Sequence, residues 1–560
     1  MMKICGILLC TRNNKKQMTS LISNFKRSIG NNSDYFITTP IFYVNSAPHI
    51  GHLYSALLAD AHYRFRRLKE PNKRGIFSTG TDEHGLKIQQ AAASAGITPD
   101  QLCREVSGEF RSLFDEAGIS YTDFIRTTEL RHKTVVDSIW KQLYASGNLY
   151  RTTYSSWYSV QDEAFLTSTQ VEERDGVHYS LESGHRVEWA SEENWCFRLS
   201  DQKEKILKWL KDCQPIQPAQ FQGQVSAWLE DEKFGDLSVS RPKSRLKWGI
   251  SAPDSEDEIG DTIYVWLDAL ANYLTVAGYK QGEQIPIWPP SVHVIGKDIL
   301  KFHAIYWPGF LSALELPLPR KILVHSHWMV DDVKMSKSLG NVLNPHDLIT
   351  KYGVDGTRYM LLREGVPHMD GNFCHDRMLH YLNHELADTL GNLLNRSCSN
   401  GVNPSQIIPD WNPCFQNFST TLSSSLIDHL ESLPDTVKTA YDTFNFYQGI
   451  VLIMDVLRLT NLFVQEEKPW ELKKMNPERL NFVLALSLES LRVCGILLQP
   501  IVPSLAHTLL SKLMEPTDTR LFIHCKHHPW QEKGAAKGPQ TTLCGRGLRV
   551  DKVVLFKKIR

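Results

Sequence analysis

The sequence predicts an α/β protein of Rossmann type, interrupted by an inserted module and continued by an all-helical half. The first observation is a β-branched and aromatic run, YFITTPIFYV at 35–44, that breaks at Asn45–Pro48 and gives way to helical periodicity. Further runs of the same kind follow at 74–85, 262–270, 291–299 and 320–330. From about residue 376 the pattern is helical throughout, with Leu382, Leu386, Leu390, Leu393 and Leu394 on one face. The chain has 560 residues, enough for roughly three to four domains of about 150 each. With 42% hydrophobic and 22% charged residues it has a globular composition, which excludes a disordered or collagen-like chain. Eleven cysteines are too sparse for a disulfide scaffold.

Residues 1–33 carry Lys3, Arg12, Lys15, Lys16, Lys26 and Arg27 and no acid, and are rich in Ser, Thr and Asn. That is the composition of a mitochondrial transit peptide. A short apolar core at 4–10 suggests a secretory signal instead, but charge follows it where small cleavage-site residues are needed. Removing the segment leaves 56 basic against 62 acidic side chains, a net charge of −6.

After the strand at 35–44, Ile50, Leu53, Leu57, Leu58, Ala61, Phe65 and Leu68 fall at steps of three and four and predict a five-turn helix with one apolar face. Strand, tight turn and helix is the opening of a Rossmann unit. Residues 151–260, aromatic, polar and acidic, read as short strands and turns inserted into the α/β pattern. The run at 480–498 reads as a buried helix stopped by Pro500. No uninterrupted apolar run reaches the ~18 residues of a membrane span, so no membrane partner is expected.

Two motifs carry chemistry. His49-Ile50-Gly51-His52 sits at the first strand-to-helix turn, where a helix N-terminus offers backbone N–H groups, Gly51 permits close approach, and two imidazoles can donate to phosphate oxygens. The bland alternative is a pair of capping histidines. Lys334-Met335-Ser336-Lys337-Ser338 follows the last Rossmann-type strand and places two cations where a polyphosphate could be gripped. A solvated basic loop is its alternative. The two motifs together in one chain decide in favour of nucleotide chemistry.

With PIFYVNSAPHIGH (40–52), GTDEHG (80–85), SVSRPKSRLKWGI (238–250), YVWLDALANYL (264–274), GKDILKFHAIYWP (296–308) and KMSKSLGN (334–341), the chain resembles the methionyl-tRNA synthetase family of class I aminoacyl-tRNA synthetases, of the mitochondrial and bacterial-like type. The resemblance runs from about residue 35 to the C-terminal VLFKKI. It implies a Rossmann catalytic domain in two halves, 34–150 and 261–345, the second ending in the KMSKS loop. Between them lies an inserted connective domain at 151–260. A stem-contact region at 346–385, an all-α anticodon-binding domain at 386–535 and a C-terminal tail at 536–560 follow.

The implied activity is ligation of L-methionine to tRNA(Met) for translation in the mitochondrial matrix, with no role for DNA. Methionyl-adenylate and pyrophosphate form first from methionine and ATP. The methionyl group then moves to the terminal ribose of tRNA, at its 2′ hydroxyl in class I enzymes. By resemblance the methionine pocket gathers Ile41, Tyr43, Asp82, Trp266, Ala269, Tyr273, Ile299 and His303. An acid such as Asp82 suits an α-ammonium, and the aromatic wall suits a flexible thioether. ATP is placed over His49, Gly51 and His52, with Gly296 and Asp298 near the ribose and Lys334 and Lys337 on the phosphates. His49, His52, Lys334 and Lys337 are the expected catalytic groups. Mg²⁺ is expected as the counter-ion of ATP, without a dedicated protein cage.

Anticodon reading is assigned by resemblance to Asn392 and Arg396 in GNLLNR and to Trp470 in EEKPW. On residue type alone, these would be a surface polar pair and a tryptophan filling a bundle. No structural zinc is expected, because 151–260 holds only Cys196 and Cys213 and the chain contains no Cys-x-x-Cys. His524, Cys525, His527 and His528 are too close in sequence to close a tetrahedron easily, and Tyr381 stands where a His380/His384 zinc motif would need Glu. Rival readings are a catalytically silent RNA-binding relative, a single-domain nucleotidyltransferase and a synthetase for a branched aliphatic amino acid. The first should have lost one of His49, His52, Asp82, Lys334 or Lys337. The second has no use for the helical half, and the third needs an editing insertion longer than ~110 residues.

Overall fold

The computed structural model describes residues 34–159, 164–166, 170–181, 184–253, 260–335, 343–531, 545–549, 551 and 553–559. The basic N-terminal segment expected to direct import lies outside them. Strand β1 (Tyr35–Tyr43) is buried along most of its length, as a central parallel strand covered on both faces must be. Helix α1 (Ile50–Lys69) buries all seven residues of the predicted apolar face and ends in Arg66, Arg67 and Lys69, which complement its C-terminal dipole. Strand β2 (Gly75–Asp82), helices α2 (Leu86–Ala95) and α3 (Pro99–Glu116), strand β3 (Asp123–Arg126) and helix α4 (Leu130–Ala145) complete the first Rossmann segment.

The next stretch departs partly from expectation. Strands β4 (Leu149–Ser159) and β5 (Glu188–Phe197) pair antiparallel from Leu149↔Phe197 to Tyr158↔Glu188. They are followed by two helices, α5 (Lys203–Cys213) and α6 (Ala219–Glu230), where short strands and turns are expected. Ile206, Trp209 and Leu210 are the buried face of α5, and their 3–4 spacing is a helical signal masked by the charged residues around it. Between these helices the short strand β6 (Ile216–Gln217) leaves the inserted stretch and joins the main sheet beside Ile322 and Leu323.

The chain returns through helix α7 (Val265–Ala277), strand β7 (Val292–Gly296) and strand β8 (Ile322–His325). The main sheet has the order β3-β2-β1-β7-β8-β6 with every neighbouring pair parallel. Strand order reverses between β1 and β7, and a crevice opens at the carboxyl ends of these strands, the usual ligand position in such sheets.

In the helical half, the five leucines of the 382–394 face are all buried, on a segment that is π-helical over Leu382–Gly391 and α-helical over Asn392–Cys398. Helices α8 (Thr421–Asp442), α9 (Phe446–Glu467), α10 (Pro469–Met475) and α11 (Pro477–Leu498) follow. Although no uninterrupted apolar run of that length occurs, α9 and α11 are by length and mean hydropathy long and apolar enough to cross a membrane. Helix α11 is almost wholly buried inside the bundle, and a core helix meets the same criterion. Its Arg492 is fully buried against Glu489 at 2.7 Å, and His528 Nδ1 lies 3.0 Å from the same carboxylate. His528 is thus buried against the helix core. Among the described residues no three His, Cys, Asp or Glu side chains gather as metal ligands.

The two halves are joined along α1. Its buried Asp60 accepts from Arg358 at 2.6 Å, and Arg358 also donates to the carbonyls of Pro500 and Ile501 at 3.1 and 3.0 Å. A buried guanidinium so fully bonded is affordable only because each donor finds an acceptor. At the far end of α1, His62 stacks on Phe444 at 4.0 Å and Lys69 reaches Asp442 at 3.1 Å.

Candidate active site

Where β1 turns into α1, His49 is the N-cap with extended backbone, and the two histidines cap each other's peptide groups. Gly51 N–H donates to His49 Nδ1 at 3.1 Å and His49 N–H donates to His52 Nδ1 at 3.2 Å. The rings stack with centroids 3.7 Å apart. Because each Nδ1 is an acceptor, each neutral ring carries its proton on Nε2. Burial, and then the neighbouring His49, hold the pKa of His52 well below the usual histidine value. Capping and donation to a ligand are therefore compatible roles. Gly51 has a local reason too: a Cβ there would meet His49 Cε1 at 2.9 Å.

The opposite wall comes from α7, whose Trp266, Ala269 and Tyr273 fall three and four apart on the face lining the cleft. Trp266 stacks on Phe302 at 3.5 Å. Tyr273 O–H donates to His303 Nε2 at 2.8 Å, and His303 Nδ1–H donates to the Ile299 carbonyl at 3.0 Å. That pattern fixes a neutral His303, and burial pulls its pKa to about 4 against a smaller opposing backbone bond. Asp82, buried at the end of β2, pairs in register with Tyr43 at the end of β1. Lys87 sits 5.7 Å from the Tyr43 ring.

At the end of β7, Gly296 opens onto Asp298 and Ile299. Asp298 is 71% exposed in its side chain and 2.5 Å from His327 Nε2. All of Ile41, Tyr43, His49, Gly51, His52, Asp82, Trp266, Ala269, Tyr273, Gly296, Asp298, Ile299 and His303 line one cleft of about 630 Å³, a volume suited to a small-molecule ligand. The backbone of Lys334 pairs with Met329 near its rim, and Met335 lines it. Residues 336–342, and Lys337 with them, lie outside the described residues.

Sequence reasoning missed several lining residues: Ser55, Asn272, His325, Ser326, His327 and Trp328. Ser55 Oγ–H donates to His325 Nε2 at 2.7 Å while His325 Nδ1–H donates to the Ser326 carbonyl at 2.9 Å, and burial pulls the pKa of His325 to about 4. The HSHW run directly after a β-branched strand is the one sequence signal that could have found this group.

Away from the cleft, Asn392 and Arg396 are exposed on one face of helix Asn392–Cys398, opposite buried Leu393 and Leu394. Asn392 Nδ2 donates to Asp388 at 3.1 Å. Trp470 in α10 is 50% exposed and so does not fill the bundle.

A parallel sheet of this order, a mutually capped histidine pair at its switch point and a helical half beyond it define a class I aminoacyl-tRNA synthetase. A family model described as tRNA synthetases class I (M) matches residues 35–398, and one described as the anticodon binding domain of methionyl tRNA ligase matches 418–560. The chain is 48% identical over 534 residues to the mitochondrial methionine–tRNA ligase of Homo sapiens, covering 91% of this chain and 89% of that one. Against the mitochondrial enzyme of Bos taurus it is 48% identical over 90% of this chain and 89% of the relative. Among solved structures, Mycobacterium tuberculosis methionyl-tRNA synthetase in complex with methionyl-adenylate superposes with a TM-score of 0.85 at 33% identity, over 93% of this chain and 99% of that one. The chain belongs to the methionine–tRNA ligase family. Asn392 and Arg396 fall within the synthetase match and ahead of the anticodon-domain match, and Trp470 falls inside the latter.

Proposed function

We propose that the cleft activates L-methionine with ATP and transfers it to tRNA(Met) in the mitochondrial matrix, with the work divided as follows. Asp82 holds the α-ammonium of methionine. Ile41, Ala269 and Ile299, with the rings of Tyr43, Trp266, Tyr273 and His303, enclose its thioether chain. A carboxylate oxygen of methionine, ionised at neutral pH without a general base, attacks the α-phosphorus of ATP. The bond to the β-phosphate breaks and pyrophosphate leaves with the electron pair. His49 and His52 donate Nε2–H to phosphate oxygens, Gly51 opens the helix N-terminus to them, and Lys334 and Lys337 neutralise the leaving group. Gly296 and Asp298 hold the ribose. Mg²⁺ enters with ATP as its counter-ion. Catalysis is positioning and charge neutralisation. In the second step the terminal ribose hydroxyl of tRNA attacks the methionyl carbonyl and AMP leaves, while Asn392, Arg396 and Trp470 read the anticodon.

The observation that carries this reading is the convergence of residues from β1, α1, β2, α7 and β7 on one cleft at the switch point of the sheet. The test is pyrophosphate exchange with each of the twenty amino acids, followed by charging of tRNA(Met). Exchange dependent on methionine alone is the expected result. Exchange with another amino acid overturns the substrate, and no exchange with any overturns the activity.

A further inference from the structure

Behind the methionine end of the cleft lies a buried group that the proposed chemistry does not use. Asp268 on α7 is fully buried, and its two carboxylate oxygens are taken by histidines from different parts of the chain. His84 Nδ1 lies 2.7 Å from one oxygen and His132 Nε2 2.7 Å from the other. His132 continues through Nδ1 to Thr275 Oγ1 at 3.0 Å, one turn beyond Ala271 on the same helix. Both histidines are themselves buried, so the whole cluster lies away from bulk solvent. These bonds keep its pKa down at about 2 despite the opposing effect of burial.

The arrangement links the two pieces of wall that must grip the amino acid from opposite sides. His84 stands two residues beyond Asp82, on a loop whose other groups are also anchored. Glu83 takes Arg126 at 2.7 and 3.1 Å, and Gly85 N–H donates to the Trp248 carbonyl at 3.1 Å. Asp268 stands between Trp266 and Ala269, and Thr275 two residues beyond Tyr273, all on α7. His132 is on α4, which packs along α7. A chain of three hydrogen bonds thus runs from the Asp82 loop to α7, on to α4, and back to α7 at Thr275.

We propose that Asp268, clasped between His84 and His132, is a positioning residue for methionine: it fixes the separation between Asp82 and the Trp266–Tyr273 wall and so sets affinity for the amino acid without touching it. The proposal rests on the reading of Asp82 as the ammonium partner. Because ATP lies over the other end of the cleft, the effect falls on methionine and spares the nucleotide. A pocket that encloses its ligand from both sides loses contacts when the separation of its walls changes, so a slackened clasp is felt in methionine affinity even in a folded enzyme.

The experiment uses the full-length enzyme and compares Asp268→Asn, His84→Leu and His84→Asn by pyrophosphate exchange, varying methionine and ATP separately. Asp82→Asn and the unaltered enzyme serve as controls. Asparagine at position 84 keeps an N–H near the position of Nδ1, and leucine removes it. The expected result is a methionine KM raised at least tenfold in Asp268→Asn and His84→Leu. The ATP KM and the methionine-saturated rate should stay within about threefold, and His84→Asn should return to within about threefold of the unaltered methionine KM. An unchanged methionine KM in Asp268→Asn or His84→Leu overturns the proposal. So does an equal loss in the methionine KM, the ATP KM and the saturated rate, which would mark the clasp as merely structural. A methionine KM unmoved by Asp82→Asn would overturn the ammonium assignment instead, and an inactive unaltered enzyme the functional reading itself.

Discussion

In the cleft, His49 and His52 cap one another, Tyr273 is bonded to His303, and Ser55 is bonded to His325, whereas on the helical half Arg396 is exposed, Trp470 is half exposed and Asn392 is bonded to Asp388 one turn earlier in the chain. The difference teaches where ordering takes place. Cleft side chains are fixed when the protein folds, so substrate binding loses little further freedom. The helical surface presents exposed side chains, and on the anticodon-reading role proposed for them their ordering waits for RNA and their contribution is felt only when RNA is present.

The largest expected effect breaks the cleft while leaving the helical surface intact. His52→Ala and Lys337→Ala should each slow adenylate formation by ~10²–10³, about 3–4 kcal/mol, because their donors act on charge that grows in the transition state. Pre-steady-state kinetics of the first step measures this, with the methionine dissociation constant expected to stay put. A change confined to that constant would refute the phosphate role.

Next comes acid. His303 and His325 sit at about 4, against a usual value of 6.5 in the unfolded chain. The unfolded chain therefore takes up protons first, and stability that is full above pH 6.5 is lost as pH falls toward 4. The loss should reach about 3 kcal/mol for each ring, at ~1.4 kcal/mol per unit. Urea titrations between pH 8 and 4 should show a falling midpoint. A level midpoint would show that both rings charge without strain. The exposed residues of the helical surface should contribute nothing to this slope.

Trp470→Ala sharpens the comparison from the other side. Loss of a stacking platform worth ~1–3 kcal/mol should lower aminoacylation efficiency at least tenfold with tRNA bearing a CAU anticodon. Pyrophosphate exchange, which needs no tRNA, should be nearly untouched. If both fall together, Trp470 serves the fold; if neither falls, the anticodon is read elsewhere. The smallest effect belongs to Asn392→Ala, a severalfold loss confined to tRNA charging, the size of one net hydrogen bond of ~1 kcal/mol. Equal charging rates for this variant and the parent would remove Asn392 from the reading surface.

The legibility of each region follows from how local its determinants are. Strand β1, helix α1 and the Asp82 loop could be read because period, turn and motif all lie within a few residues of one another. Trp266, Ala269 and Tyr273 share one helical face, but by residue type alone Trp266 and Tyr273 read as core aromatics, and only the family resemblance points to a pocket. His325 could not be read the same way, since its partner Ser55 is 270 positions distant. His84, Asp268 and His132 are likewise brought together only by packing of α7 against the Asp82 loop and α4. In the inserted stretch, helices α5 and α6 were obscured by composition, and β6 by its brevity: two residues carry no periodicity.

Helix α1 begins at the histidine pair and ends at Lys69, 3.1 Å from Asp442 of the helical half. Its 20 residues span roughly 30 Å, at ~1.5 Å and ~100° per residue. Inserting or deleting one residue anywhere inside it would rotate the histidines by ~100° against the far end and slide them ~1.5 Å, with no catalytic atom altered. Positions 50 to 69 act as a gauge of fixed length. Exposed members can be exchanged, but the number of residues between the two ends admits no change.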